Sequence, residues 1–152
     1  MSRKPSKRPS PHVVDLSDTV RVPVPGLENR PNCARYLVTP LGRVYRDDGR
    51  LLAPRSDLKV RLNGNSRART VPHIVTLAFG HPLLLTRWTA DDGDLRSYRA
   101  WVHPFGPKDS LTGQVRCTVN DVVLVPHAEL IRFGRYGRWP TTRLPILKPP
   151  PR

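Results

Sequence analysis

The sequence predicts an α+β fold of small antiparallel β-hairpins followed by short helices, with flexible, basic, proline-rich segments at both ends. Three observations predict it. Residues 36–71 break into short β-prone runs separated by turn signals. At Pro72 the pattern switches to a compact apolar run with proline suited to the first turn of a helix. Residues 1–12 and 132–152 carry basic residues and eight of the 18 prolines but no acid, a composition that buries too little apolar surface to offset ordering entropy. The boundaries are a tail over 1–14, one domain over 15–131 and a second tail over 132–152, within the usual length of a single domain.

Tyr36-Leu-Val-Thr39 alternates, Pro40-Leu-Gly42 turns, and Arg43-Val-Tyr45 returns. Asp47-Asp48-Gly49 is the next turn, leading into Arg50-Leu-Leu-Ala53. Lys59-Val-Arg-Leu62 directs Val60 and Leu62 inward, Asn63-Gly64-Asn65 tolerates the positive φ of a tight hairpin, and Arg67–Val71 is the partner strand. Ile74, Val75, Leu77, Ala78 and Phe79 form a short helix that Gly80-His81-Pro82 stops, with apolar content continuing to Trp88. Asp91–Asp94 is a turn, 95–102 a strand that delivers His103, 104–113 a loop, 115–119 a further strand, and His127–Phe133 a helix. Elements this few and short leave a small core.

The net charge is +14, from 26 basic and 12 acidic residues. It is uneven. Arg3, Lys4, Lys7 and Arg8 at one end and Arg132, Arg135, Arg138, Arg143, Lys148 and Arg152 at the other account for ten of the basic residues, and residues 13–131 are only +4. A surface this positive attracts polyanions. In 132–139, Arg132, Arg135 and Arg138 interleave with Phe133, Tyr136 and Trp139. Arginines pair with phosphate, and rings offer faces to unpaired bases or pack back on the domain. No run approaches the ~20 apolar residues of a spanning helix, and two cysteines make no disulfide scaffold. Met1-Ser-Arg-Lys is followed by no apolar stretch, so the expected setting is the reducing cytoplasm.

Tyr36-x-Val38-Thr39-x-x-Gly42-Arg43-Val44, Gly49-Arg50-x-Leu52-x-Pro54, Val60-x-Leu62 and His73-x-Val75-x-x-Ala78-Phe79 with Pro82 beyond resemble, in order and spacing, phage and intron HNH homing endonucleases. The resemblance covers about 36–82 and is to their nuclease-associated modular (NUMOD-type) segment. Thr39 stands where the family usually has Ser, and Ile74 where it usually has Arg. It implies that 98–131 is a ββα-metal finger, with Trp101-Val102-His103 at the first strand and Asp121–Leu130 at the second strand and helix.

In that family a His activates water for attack on a phosphodiester, and a divalent cation held by the preceding Asp and a later Asn stabilises the charge. The base-equivalent residue here is His103, while the ligand positions hold Val102 and Leu130, neither with a donor atom. The finger is therefore degenerate. No metal or other cofactor is expected, and Mg²⁺ or Mn²⁺ enters only for an active nuclease. His103, Asp121 and His127 are the one alternative donor set. Cys33 and Cys117 lack C-x-x-C neighbours and are expected as small buried residues. His73 is expected as a packed histidine at a helix start.

The leading expectation is a non-catalytic nucleic-acid-binding protein. DNA or RNA would be held through its backbone by both tails and by Arg43, Arg50, Arg61, Arg67 and Arg69, with Arg46 and Arg55 beside them. The alternatives are an active metal-dependent endonuclease or nickase with His103 as base, and a structural component of a ribonucleoprotein or phage particle.

Overall fold

The structure is a computed structural model and describes residues 16–25, 36–62, 69–89 and 98–149. Strands β1 (Val22–Pro23), β2 (Tyr36–Val38), β3 (Val44–Arg46) and β4 (Leu51–Leu52) form an antiparallel sheet in that order. Both expected turns are present. The Gly42 N–H donates to the Thr39 carbonyl (2.9 Å), and the Gly49 N–H donates to the Arg46 carbonyl (2.9 Å). The two-residue side-chain period buries Tyr36, Val38 and Val44 on one face. Tyr45, on the other face, is also buried, because residues 18–21 cover it. Its hydroxyl donates to Asp18 (2.6 Å), and the Arg21 guanidinium lies 3.8 Å from its ring centroid.

Strands β5 (Lys59–Val60) and β6 (Arg69–Thr70) pair antiparallel, Lys59 opposite Thr70, as the hairpin reading requires. The Asn63-Gly64-Asn65 turn lies outside the described residues. Helix α1 (Val71–Phe79) follows, with proline in its first turn and Val71, Ile74 and Val75 on its buried face. The Gly80 N–H closes it on the Thr76 carbonyl (2.8 Å), and the apolar content beyond forms a second helix, α2 (Pro82–Thr89). His81 joins them. It is buried, its Nδ1 accepts the Leu83 N–H (3.0 Å), and its carbonyl accepts the Leu85 N–H (3.0 Å).

The third sheet is antiparallel in the order β7 (Tyr98–Trp101), β8 (Val123–Pro126), β9 (Leu144–Pro145), and helix α3 (His127–Tyr136) follows β8 directly. All three sheets, α1 and α2 contribute to one core that includes Val38, Leu62, Ile74, Leu84, Leu124 and Ile146. The mixed α+β class is as expected.

Two expectations are corrected. The strand over 115–119 does not form. Only an isolated bridge joins Lys108 and Val115, and the following donors go elsewhere, the Arg116 N–H to the Pro107 carbonyl (2.8 Å) and the Val119 N–H to the Pro40 carbonyl (3.0 Å). Nor do residues 132–149 form a free tail. The expected boundary at 131 falls inside α3, β9 pairs with β8, Ile146 is 1% exposed, and its carbonyl accepts the His81 N–H (2.7 Å). Averaging over a proline-rich stretch concealed a local apolar run, Leu144, Ile146 and Leu147. Pro145 is tolerated because β9 is an edge strand, where a missing donor costs little.

Gly42 fixes how the loop before β8 packs on the first sheet. Its φ is +79°, and a Cβ built there would lie 2.3 Å from the Cys117 carbonyl oxygen. A Gly42→Ala variant should lose about 2 kcal/mol or more, from left-handed strain together with displacement of Cys117. Urea denaturation checks this, with the midpoint falling at unchanged slope.

Candidate nucleic-acid interface

Alternation at the end of β7 sends Val102 into the core, 6% exposed, and leaves Trp101 and His103 on the other side. There His103 enters an aromatic group. Its ring stacks on Trp139 (centroids 4.2 Å apart, 25° between planes) and lies 5.8 Å from Trp101 and 6.0 Å from Phe105. Phe133 of α3 also stacks on Trp139, at 4.4 Å. His103 Nδ1 accepts the Phe105 N–H (3.1 Å), which places the proton of the neutral ring on Nε2. The lone pair a general base would use is thus engaged by the backbone, and one ring face is covered by indole. This geometry suits a packing role better than activation of water.

The positions that hold the cation in the resembled family do not fit one here. Val102 is buried among core side chains, and Leu130 is a half-buried apolar residue of α3. The alternative donor set does not assemble either: among the described residues no group of three or more His, Cys, Asp or Glu side chains is placed to hold a metal ion. Asp121 instead takes a two-point contact from Arg116 (2.8 and 3.1 Å) and the Thr118 hydroxyl (2.7 Å). Partial burial opposes its ionisation, but these partners hold its carboxyl below the ordinary range. His127 is exposed at the start of α3. Cys117 is buried, and burial, with Asp121 and Asp109 nearby, pushes its thiol up to about 12, so it stays protonated. Cys33 lies outside the described residues. His73 is half-buried in α1; burial, then the charges of Arg69 and Arg99, lower its pKa.

The arginines divide by what already holds them. Arg43 donates through Nε and one terminal nitrogen to both oxygens of Asp109 (3.0 and 3.1 Å), and its other nitrogen is 3.5 Å from Asp18. It is structural, not an exposed phosphate contact. Arg69 is half-buried and donates to the Pro25 carbonyl (2.8 Å). Arg143 donates to the Pro140 carbonyl (3.1 Å) and lies 5.2 Å from the Trp101 ring centroid. Arg50 and Arg61 are exposed; Arg55, exposed as well, pairs with Asp57 (3.3 Å). Arg55, Lys59 and Arg61 line a groove of about 330 Å³ beside β4.

On α3 the turn of the helix places Ala128, Ile131, Arg132, Arg135 and Tyr136 on the solvent side, with Tyr136 69% exposed. Arg138 is exposed just beyond the cap, where Gly137 adopts φ +70°. Glu129 faces the other way. One oxygen accepts the Thr141 and Thr142 N–H groups (2.8 and 3.1 Å), which pins the chain beyond the helix, and bonding from Thr142 lowers its pKa. Arg3, Lys4, Lys7, Arg8 and Arg67 lie outside the described residues.

The sequence reading missed Trp101 and Phe105 as members of the aromatic group. The signal was present, since Trp101, His103 and Phe105 recur at the two-residue spacing that shares one side of an extended chain.

The Arg43–Asp109 pair also sets an acid dependence. Burial opposes ionisation of Asp109, but the Arg43 hydrogen bond and charge and the backbone N–H groups of Leu111 and Thr112 hold its carboxyl below the ordinary 3.8. A carboxyl lowered by folding stabilises the fold fully above its unfolded value and loses that contribution as pH falls through the folded value. Asp109→Asn should therefore be clearly less stable than the parent at about pH 6, with the gap narrowing towards about pH 2, as thermal melts at the two pH values would read.

No family model, no curated protein and no solved structure matches the chain.

Proposed function

We propose that the protein binds nucleic acid without cutting it, on a degenerate scaffold of the HNH homing-endonuclease type, gripping the phosphate backbone through arginines. The observation that carries this is the solvent face of α3. Arg132 and Arg135 stand one turn apart, Arg138 follows, and no acidic residue occurs after Glu129. Among the described residues no carboxylate grips Arg132, Arg135 or Arg138 as Asp109 grips Arg43, although the charge of Glu129 is felt at Arg132. Lys59 and Arg61, in the groove beside β4, supply a second cationic surface, while Arg55 there is paired with Asp57. Absence of catalysis is supported by Val102 and Leu130 at the cation positions and by the engaged Nδ1 of His103.

Backbone binding has a measurable signature. Each phosphate neutralised contributes about −0.9 to the slope of log K against log salt on duplex DNA. Arg132→Gln, Arg135→Gln and Arg138→Gln combined should weaken binding across sequences alike and reduce that slope by up to about 3 units. Binding that is independent of salt would sink the proposal. Competition between DNA and RNA of equal length identifies the natural polymer.

One observation favours a nuclease as the second reading: strand β7, His103, strand β8 and helix α3 follow one another in the order a ββα finger has. Supercoiled plasmid incubated with Mg²⁺ or Mn²⁺ separates the two. The proposal expects it to stay intact with the parent and with His103→Ala alike, whereas nicking lost in His103→Ala would establish the nuclease.

A further inference from the structure

The rings around His103 present a surface that phosphate binding does not use. Phe105 is 81% exposed, yet its position is fixed: its N–H is held by His103 Nδ1, and its ring meets Trp139 edge-on at 5.8 Å. Behind it the rings continue through Trp139, itself 37% exposed, to Phe133. Trp101 and Phe133 also help line a cavity of about 360 Å³, whose lining includes Val102 and Val115. Ser56, Asp57 and Thr70 supply polar atoms to the same cavity. A mostly apolar recess at the small end of the usual ligand range, lined also by a few polar residues, is large enough for a planar heterocycle.

We infer that this surface is a stacking site for unpaired nucleobases. One base lies on the open face of Phe105, and a neighbouring base enters the recess against Trp101 and Phe133. The hydroxyls of Ser56 and Thr70 and the spare lone pairs of Asp57 then meet its hydrogen-bonding edge. Charge complementarity selects a nucleic acid as occupant. Phe133 belongs to α3, whose other side carries Arg132 and Arg135, so a strand whose bases reach the rings has cations for its phosphates on the same helix. A base inside a duplex has no free face to offer, so the site selects single strands, loops or extruded bases. The inference rests on the nucleic-acid reading above and deepens it.

The test measures binding of a labelled single-stranded oligonucleotide and of its duplex to the full chain over a range of salt. The parent is compared with Phe105→Ala, which removes the shelf, and Ser56→Trp, which fills the recess. Both positions are exposed, and circular dichroism checks that the fold persists. The parent should prefer the single strand. Each variant should lower that affinity by about tenfold while duplex affinity and salt slope stay as in the parent. Single-strand affinity unchanged in both variants, or lowered equally for both forms, overturns the stacking site while salt-dependent binding leaves the phosphate reading standing. Absence of salt-dependent binding to either form overturns both.

Discussion

A two-point ion pair between Arg43 and Asp109, 66 residues apart, joins the first hairpin to the long loop between β7 and β8. Both side chains are largely withdrawn from water, and each is fully used: Asp109 also accepts the Leu111 N–H (2.8 Å), and Arg43 also faces Asp18. Such a pair contributes little net stability over a well-packed apolar substitute, because desolvation offsets the attraction. Its consequence is directional. Removing Asp109 leaves Arg43 only the longer contact with Asp18, and removing Arg43 leaves Asp109 its backbone donors, so the pair holds the loop to one position on the hairpin. The Cys117 carbonyl against Gly42 and the Val119 N–H on Pro40 hold it at a second place.

With the loop held at 109 and again at 117–119, the two strands it connects are placed as well. Trp101 pairs with Val123 across β7 and β8, which puts His103 just beyond the ladder and α3 immediately after β8. The C-terminal segment then returns over this frame. Glu129 holds 141–142, β9 pairs with β8, and Ile146 enters the core beside His81. Trp139 lies on that return, which is how a residue beyond α3 comes to stack on His103. The aromatic group is therefore a product of tertiary closure from both ends of the third sheet.

This explains what was legible in the sequence. Turns and short strands with local signals were readable: Gly42 and Gly49 lie at the expected bends, Lys59–Val60 meets Arg69–Thr70, and α1 starts at the expected proline. The mixed class followed from these local patterns. What failed depended on distant partners. Residues 115–119 have strand-like composition, but their donors bond to Pro107 and Pro40, and nothing local distinguishes that from a ladder. The segment after 132 has the composition of a free tail, yet three apolar residues separated by proline suffice to seat it once β8 offers an edge. At the candidate site, charge alone ranked Arg43 with Arg50 and Arg61, although only the latter two face solvent. The difference is Asp109, which no local window connects to Arg43.

The division among the arginines changes the meaning of the net charge. Arg43 is spent on closing the fold, Arg69 on holding Pro25, Arg116 on Asp121 and Arg143 on Pro140 and Trp101. These guanidinium groups are fixed by partners inside the protein, and a polyanion would have to break native contacts to engage them fully. Arg61, Arg132, Arg135 and Arg138 stand exposed. Long-range attraction counts every charge, so the full +14 governs how a polyanion approaches. Close contact counts only the groups that can turn to meet a phosphate, and in the described body these concentrate on the outer side of α3 and beside β4. For a polyanion bound as proposed, steering and grip would thus fall to different subsets of the same residue type, separated by which arginines the fold has already used.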